Sequence, residues 1–469
     1  MDETPNQFAY VALTCWPLFA LYLYRRLSVS QATIWTILGG YLLLPVGVDM
    51  KIPMIPDFTK SSIPNLSALL GCVLYARRPP RFFQGFGLVE ILLFCIVFSP
   101  FLTSILNGDE IHIGNTSLPG VGAYDGGSAV IAEFMSLLSF FLARQFLRGA
   151  EDNTEILRVL VIAGLAYSLP ILFEIRMSPQ LNRWVYGYAF TNITGEMRNG
   201  GFRPEVFLGL GLTVAFFSMT TAVAAAALWR TKTGVGRFPL AGVTAYLSFV
   251  LLLCKALGSL TYGAVAVPLV RWASPRTQLV VACVLVTVAL TYPMLRVADV
   301  FPTTSIFQVA QMVDEDRADS LNTRFYQEGQ LLARALERPW FGWGRYGRSR
   351  VYNGYLGTDS SLTDGLWVIV LGSFGLVGFA TTFGLMALPV FRAASALKFA
   401  RSPQERSHLA ALALIVGIIV VDQLPNASFS TWSWLLIGAL LGRTEALCSI
   451  SSRRAGSADM GLLAGRPIS

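Results

Sequence analysis

Apolar residues along this chain gather in long blocks, separated by short polar or basic connectors. A helix needs about 20 residues to cross a bilayer core, and the blocks run to about 15–25 residues each. Thirteen of them predict thirteen helices, at roughly 8–24, 31–49, 62–76, 86–106, 128–147, 156–174, 205–229, 239–254, 257–270, 277–296, 364–391, 408–425 and 430–442. The third, ninth and thirteenth are the shortest. No alternation of the kind a membrane barrel needs is visible. The expectation is an all-α polytopic membrane protein of about 12–13 transmembrane helices, with a membrane domain over 1–452 and a Ser-, Gly- and Arg-rich tail over 453–469 expected to be disordered. The first block ends in Arg25-Arg26, the reverse of the basic-then-apolar order of a signal peptide, so the N-terminus is expected to be retained.

Lys and Arg orient the blocks. Arg25-Arg26, Arg77-Arg78, Arg144 with Arg148, Arg230 to Arg237, Arg271 with Arg276, and Arg392 to Arg406 fall in alternate connectors. That side, with the tail, is expected to be cytoplasmic. The opposite side receives two longer loops, loop A over about 175–204 and loop B over about 297–363. Loop B is too long for a structureless connector. Its stretch SLNTRFYQEGQLLARALERPWFGWG spaces Leu321, Phe325, Leu332 and Leu336 as an amphipathic helix, which Pro339 and the glycines then stop.

Composition narrows the class. The chain is 54% hydrophobic and 14% charged, against a usual charged share of about 25%, which excludes an ordinary soluble globule. Its net charge of +8 suits basic cytoplasmic connectors and does not point to nucleic acid. Six cysteines without metal-ligand spacing read as small buried hydrophobes, and only His112 and His408 are histidines. No metal and no cofactor is expected.

The outer loops break the orientation rule. Loop A holds Arg176, Arg183, Arg198 and Arg203; loop B holds seven arginines, among them Arg324, Arg345, Arg348 and Arg350. Such a set either pairs with acids of its own loop or presents guanidinium forks to phosphate oxygens at the bilayer surface. Ionisable residues at span ends are the other signal: Lys255, Glu174, Asp422 and Asp364. Asp364 reads either as a helix cap or as a general base. Loop aromatics such as Trp184, Tyr186, Trp340 and Trp343 read as interfacial anchors or as stacking faces for sugars.

The stretch ARALERPWFGWGRYGRSR, followed by TDGLWVIVLGSFGLVGF, resembles the signature of the O-antigen ligase and polymerase superfamily. NGGFRPEVFLGLGL and KALGSLTYGAVAVPLV are similar to further segments of that family, over residues of about 170–380 in all. Counted back from Gly375-Leu-Val-Gly378, the family's histidine falls on Asp364, and Tyr262 stands where arginine is common. GFRPEVF and TDGLW look like the exopolysaccharide-polymerase branch. The resemblance implies an inverting, metal-independent transferase of the bacterial inner membrane with its active site facing the periplasm. It would polymerise repeat units carried on undecaprenyl pyrophosphate. Asp364, Arg203 and Arg345 would be catalytic. Arg198, Arg203, Arg324, Arg345 and Arg348 would hold the donor pyrophosphate, and Glu174, Tyr262, Trp343 and Asp359 the sugars. Inner-membrane lipid, a chain-length regulator and export machinery would be its partners. The alternatives are a ligase that transfers finished glycan to a lipid core, and, from another class, a polysaccharide or lipid transporter.

Overall fold

The computed structural model describes residues 4–51, 57–83, 85–114, 116–190, 197–198, 201–313, 315–354 and 357–464. In chain order its helices are α1 (Gln7–Arg26), α2 (Val29–Leu43), α3 (Ser62–Tyr75), α4 (Leu88–Leu106), α5 (Ala123–Phe146), α6 (Ala150–Met177), α7 (Leu181–Tyr186), α8 (Gly211–Thr231), α9 (Leu240–Leu253), α10 (Leu257–Trp272), α11 (Pro275–Val297), α12 (Thr303–Val313), α13 (Glu315–Leu336), α14 (Leu366–Ala396), α15 (Pro403–Asp422) and α16 (Thr431–Ala464). Two small antiparallel hairpins sit between them, β1 (Ile111–Ile113) with β2 (Thr116–Leu118), and β3 (Met197–Arg198) with β4 (Gly201–Phe202).

The protein is an all-α polytopic membrane protein, and each of the thirteen apolar blocks lies on a helix. Among the described residues nine helices are long and apolar enough to cross a membrane: α1, α4, α5, α6, α8, α11, α14, α15 and α16. The other four, α2, α3, α9 and α10, have 14 to 16 residues. At 1.5 Å per residue they span only about 21–24 Å, short of the roughly 30 Å core. The last block is longer than expected, since α16 continues through the start of the tail; the described tail backbone from Arg453 to Ala464 is helical rather than irregular, and residues 465–469 lie outside the described residues.

Small residues set the packing. Ala222 to Ala227 of α8 are all fully buried, so neighbouring backbones approach closely. In α16, Gly438 and Gly442 lie four apart; a Cβ on either would stand 2.4 Å from a carbonyl oxygen of α5, at Phe140 and Arg144.

The two ends of the bundle differ in chemistry. At the basic end Arg144 ties Glu90 (2.8 Å) to Glu445 (2.7 Å), so one buried guanidinium joins α5, α4 and α16. There too His408 bridges Thr154 (2.8 Å) and Thr231 (2.9 Å). Loops A and B are at the other end. Asn6 N–H donates to Tyr186 O (2.8 Å) and Leu366 N–H to Asn426 O (3.1 Å). Arg338 pairs with Asp109 (2.7 Å). Loop B contains the expected amphipathic helix as α13, preceded by α12.

Candidate functional site

The loop-bearing end is organised around a break in α14. Gly375 has φ +67° and ψ −164°, so the helix is two helices joined across a kink. A broken ladder leaves amides and carbonyls bare, which apolar surroundings do not tolerate. Loop B supplies the partners. Its PWFGWG turn lays main chain into the break: Trp343 N–H donates to Gly372 O (2.9 Å), Gly344 N–H to Ser373 O (2.9 Å), Leu376 N–H to Pro339 O (2.7 Å) and Val377 N–H to Trp340 O (3.2 Å). Two glycines permit this approach. A Cβ on Gly342 would stand 2.5 Å from Ser373 C, and one on Gly375 would stand 2.3 Å from Trp340 C. From α4, Thr103 donates to Phe341 O (2.8 Å) and Asn107 to Gly342 O (3.0 Å). The turn is thereby held at the end of the bundle, and residues 345–350 emerge from it in a fixed direction.

Arg345 and Arg350 line a pocket of about 190 Å³ with Tyr346, Ser349, Thr363 and Ser373. Arg345 is partly buried; its Nη1 is shielded from solvent and has no hydrogen-bond partner among the described residues. Its guanidinium carbon lies 5.5 Å from the centre of the Tyr346 ring. Next to Thr363 is Asp364, whose Oδ2 stands 3.1 Å from Arg324 Nε of α13, both side chains being about two-fifths exposed. The N-cap of α14 is Gly365, with no side-chain cap hydrogen bond. Asp364 is therefore not the cap of this helix. Gly365 is packed so that a Cβ would meet Leu424 O at 2.4 Å, and Leu366 N–H is held by Asn426 O. Asn426 in turn donates to Asp422 (2.9 Å). The backbone that carries Asp364 is thus anchored to the end of α15.

Arg203 follows the β3–β4 hairpin and donates to Lys255 O (3.3 Å) at the α9–α10 turn. Lys255 has φ +52°, and its Nζ occupies the space that a Cβ at Gly201 would fill, 2.4 Å away. Arg198 pairs through its backbone with Gly201; its side chain lies outside the described residues. Tyr262, on α10, is partly buried. The structure therefore joins Arg324 to Asp364, sets Arg345 in the adjacent pocket, and keeps Arg203 with Lys255 in a second basic group at the same end.

Four expected site residues have structural work instead. Arg348 is 1% exposed. Its nitrogens are taken by Trp343 O (3.1 Å), Pro119 O (2.8 Å) and Asp109 Oδ1 (3.3 Å), so it has no fork left for a phosphate. Burial pulls its guanidinium below the ordinary value, and Asp109 works against that. Trp343 is buried, with Arg334 3.4 Å and Arg338 4.1 Å from its ring centre, and its indole N–H donates to Arg334 O (2.7 Å). Its faces are covered by guanidiniums, not open to sugars. Glu174 is 0% exposed and accepts from the amides of Leu181 (2.9 Å), Glu205 (2.8 Å) and Val206 (2.7 Å). Both its oxygens are spent on folding loop A back to α8. Asp359 pairs with Arg350 and accepts from Ser361 N–H (3.0 Å) and Oγ (2.7 Å). Burial acts to raise its carboxyl, but the Ser361 and Arg350 hydrogen bonds outweigh that and hold it low. It closes a local loop.

Two acids escaped the sequence reading. Asp109 receives Arg338 and Arg348 together. Glu133 lies inside α5, and the signal was available: it is a lone carboxylate in an apolar block. Among the described residues no group of three His, Cys, Asp or Glu side chains is arranged to hold a metal ion. No family model and no curated protein matches the chain.

Proposed function

We propose that this protein is a membrane glycosyltransferase that polymerises lipid-pyrophosphate-linked oligosaccharide repeat units. On this reading the loop-bearing end faces the periplasm of a bacterial inner membrane. The observation that carries it is the pairing of a hydrogen-bond-deficient Arg345 in a pocket with the Arg324–Asp364 couple at its edge. A buried guanidinium nitrogen without a partner is costly unless a ligand completes it. Planar forks suit the oxygens of a diphosphate. The order of motifs, which resembles the O-antigen ligase and polymerase superfamily, agrees with that chemistry.

The acceptor hydroxyl oxygen attacks the anomeric carbon of the donor from the face opposite the diphosphate. The new C–O bond forms as the bond to the diphosphate oxygen breaks, which inverts the centre. The hydroxyl proton passes to Asp364. The electron pair leaves with the diphosphate, whose added negative charge is met by Arg345 and by Arg324, a preorganised electrostatic arrangement.

The test is chain extension from purified lipid-linked repeats at matched protein level. Asp364→Asn keeps size and loses proton acceptance; its rate should fall by about 10²–10⁴. Arg345→Lys should rescue little, because the fork is lost. Near-normal extension by both variants would remove this site from the reaction.

A further inference from the structure

A second cavity lies on the other face of α14. It is a cleft of about 140 Å³ between α4, α5, α14 and the start of α16. Along α14 its lining runs from Leu366 past the Gly375 break to Thr382 and Met386, with Phe429 and Trp434 on the opposite wall. Besides Thr381, which bonds back to Val377 O (2.7 Å), it holds Ser99, Glu133, Ser136 and Thr382. None of these four side chains has a hydrogen-bond or ion-pair partner among the described residues.

Ser67, Ser104, Ser218 and Thr244 each return a hydrogen bond to a carbonyl four residues back, at 2.7 to 2.9 Å, whereas the buried hydroxyls of Thr36 and Ser139 have no partner among the described residues. What sets Ser99, Ser136 and Thr382 apart is that they share one cleft with a carboxylate. A carboxylate without protein partners in the spanning zone is a functional signal, and unpartnered polar groups away from bulk water cost stability unless something fills the space. Glu133 is the one carboxylate in the lining, so the cleft lacks the several anionic oxygens that a hard cation takes. What remains is a set of acceptors and hydroxyls beside the aromatic rings of Phe374, Phe429 and Trp434. Water alone would need only the polar groups. A ring that presents hydroxyls on its edge and C–H groups on its face uses both.

We infer that this cleft is a binding site for one neutral, polyhydroxylated sugar ring, with Glu133 accepting from its hydroxyls. The assignment rests on the glycosyltransferase reading, in which the ring belongs to the repeat unit that enters beside Arg345.

The experiment uses the full chain in lipid nanodiscs of phosphatidylethanolamine and phosphatidylglycerol, which carry no sugar. Glucose, galactose, mannose and N-acetylglucosamine are the probes, read by saturation-transfer NMR and tryptophan fluorescence. At least one neutral sugar should bind saturably. Glu133→Gln and Thr382→Val should each weaken it, the first by about tenfold. Asp364→Asn should bind it as wild type does. No saturable binding by the wild type, or binding unchanged in both cleft variants, overturns the site. Tighter binding of cationic glucosamine than of N-acetylglucosamine also overturns it, because it would make Glu133 a cation site. If the cleft behaves as expected while Asp364→Asn extends chains normally, the sugar site stands and the catalytic reading of Asp364 falls. If Asp364→Asn is inactive and no sugar binds, the reverse holds.

Discussion

Replacing Gly375 by alanine probes the docking of loop B into α14 directly. With φ +67° and ψ −164° the residue occupies a region that is essentially restricted to glycine, costing about 1–3 kcal/mol for any other residue. The added Cβ would also stand 2.3 Å from Trp340 C and 2.4 Å from its O, both backbone atoms that cannot swing aside. Moving the turn out of the way sacrifices the four main-chain hydrogen bonds that join it to the two halves of α14. Each is worth about 0.5–1.5 kcal/mol net, and more where the freed group stays buried. The smallest outcome is thus the strain, about 1 kcal/mol, and the full one is about 4 kcal/mol or more. Gly384→Ala is the control. Gly384 lies on the same helix with only Leu92 side-chain atoms near, at 3.7 Å, and alanine there should be neutral or stabilising by about 0.5–1 kcal/mol. Thermal unfolding in detergent, followed by size-exclusion recovery, reads both. A Gly375→Ala protein as stable as the Gly384→Ala control would refute the view that the inserted turn holds the break.

Glu174→Gln leaves one acceptor oxygen where two served three amides, so folded protein should fall, while Glu151→Gln, at the exposed start of the same helix, should express normally; equal yields in a membrane-fraction immunoblot would count against the anchor. Arg338, through its hydrogen bond, and then its charge with that of Arg348, hold the Asp109 carboxyl below the usual range. A depressed folded value gives stability that is present above the ordinary carboxylate range and is lost as pH falls through the lowered one. The melting difference between wild type and Asp109→Asn should therefore be full near neutrality and vanish in strong acid, and a difference independent of pH would contradict it. In a cysteine-free background, a membrane-impermeant thiol reagent on intact cells should label Tyr326→Cys on α13 and spare Phe86→Cys at the basic end; the opposite pattern inverts the topology.

The helices were legible because thirteen apolar runs and one amphipathic spacing declare themselves locally. The site was only half legible. Arg345 and Arg348 sit three residues apart in the same basic stretch, yet one keeps an unpartnered nitrogen and the other is wholly engaged. Nothing local separates them, since the difference is made by Pro119 and Asp109 from another connector. Trp343 reads as a loop aromatic because its two covering arginines, Arg334 and Arg338, look like ordinary members of a helix face. The approach of Arg324 to Asp364 is likewise a tertiary event, set by how α13 lies against α14. The break in α14 is written as a glycine pair, Gly375 and Gly378, but the partner that fills it lies more than thirty residues earlier.

That reciprocal fit bears on how the chain can change over time. Gly342 leaves room that the backbone of Gly372 to Phe374 occupies, and Gly375 leaves room that the backbone of Trp340 and Phe341 occupies, so a side chain gained at either pushes the same two segments apart and both positions should stay glycine. The stretch between the docked turn and the span is fastened at both ends. Its middle carries its own ties, between Tyr352 and Asp359 and between Asp359 and Arg350. Exchanges that keep those ties can vary the polar residues beside the pocket while the inserted turn and the broken helix stay as they are.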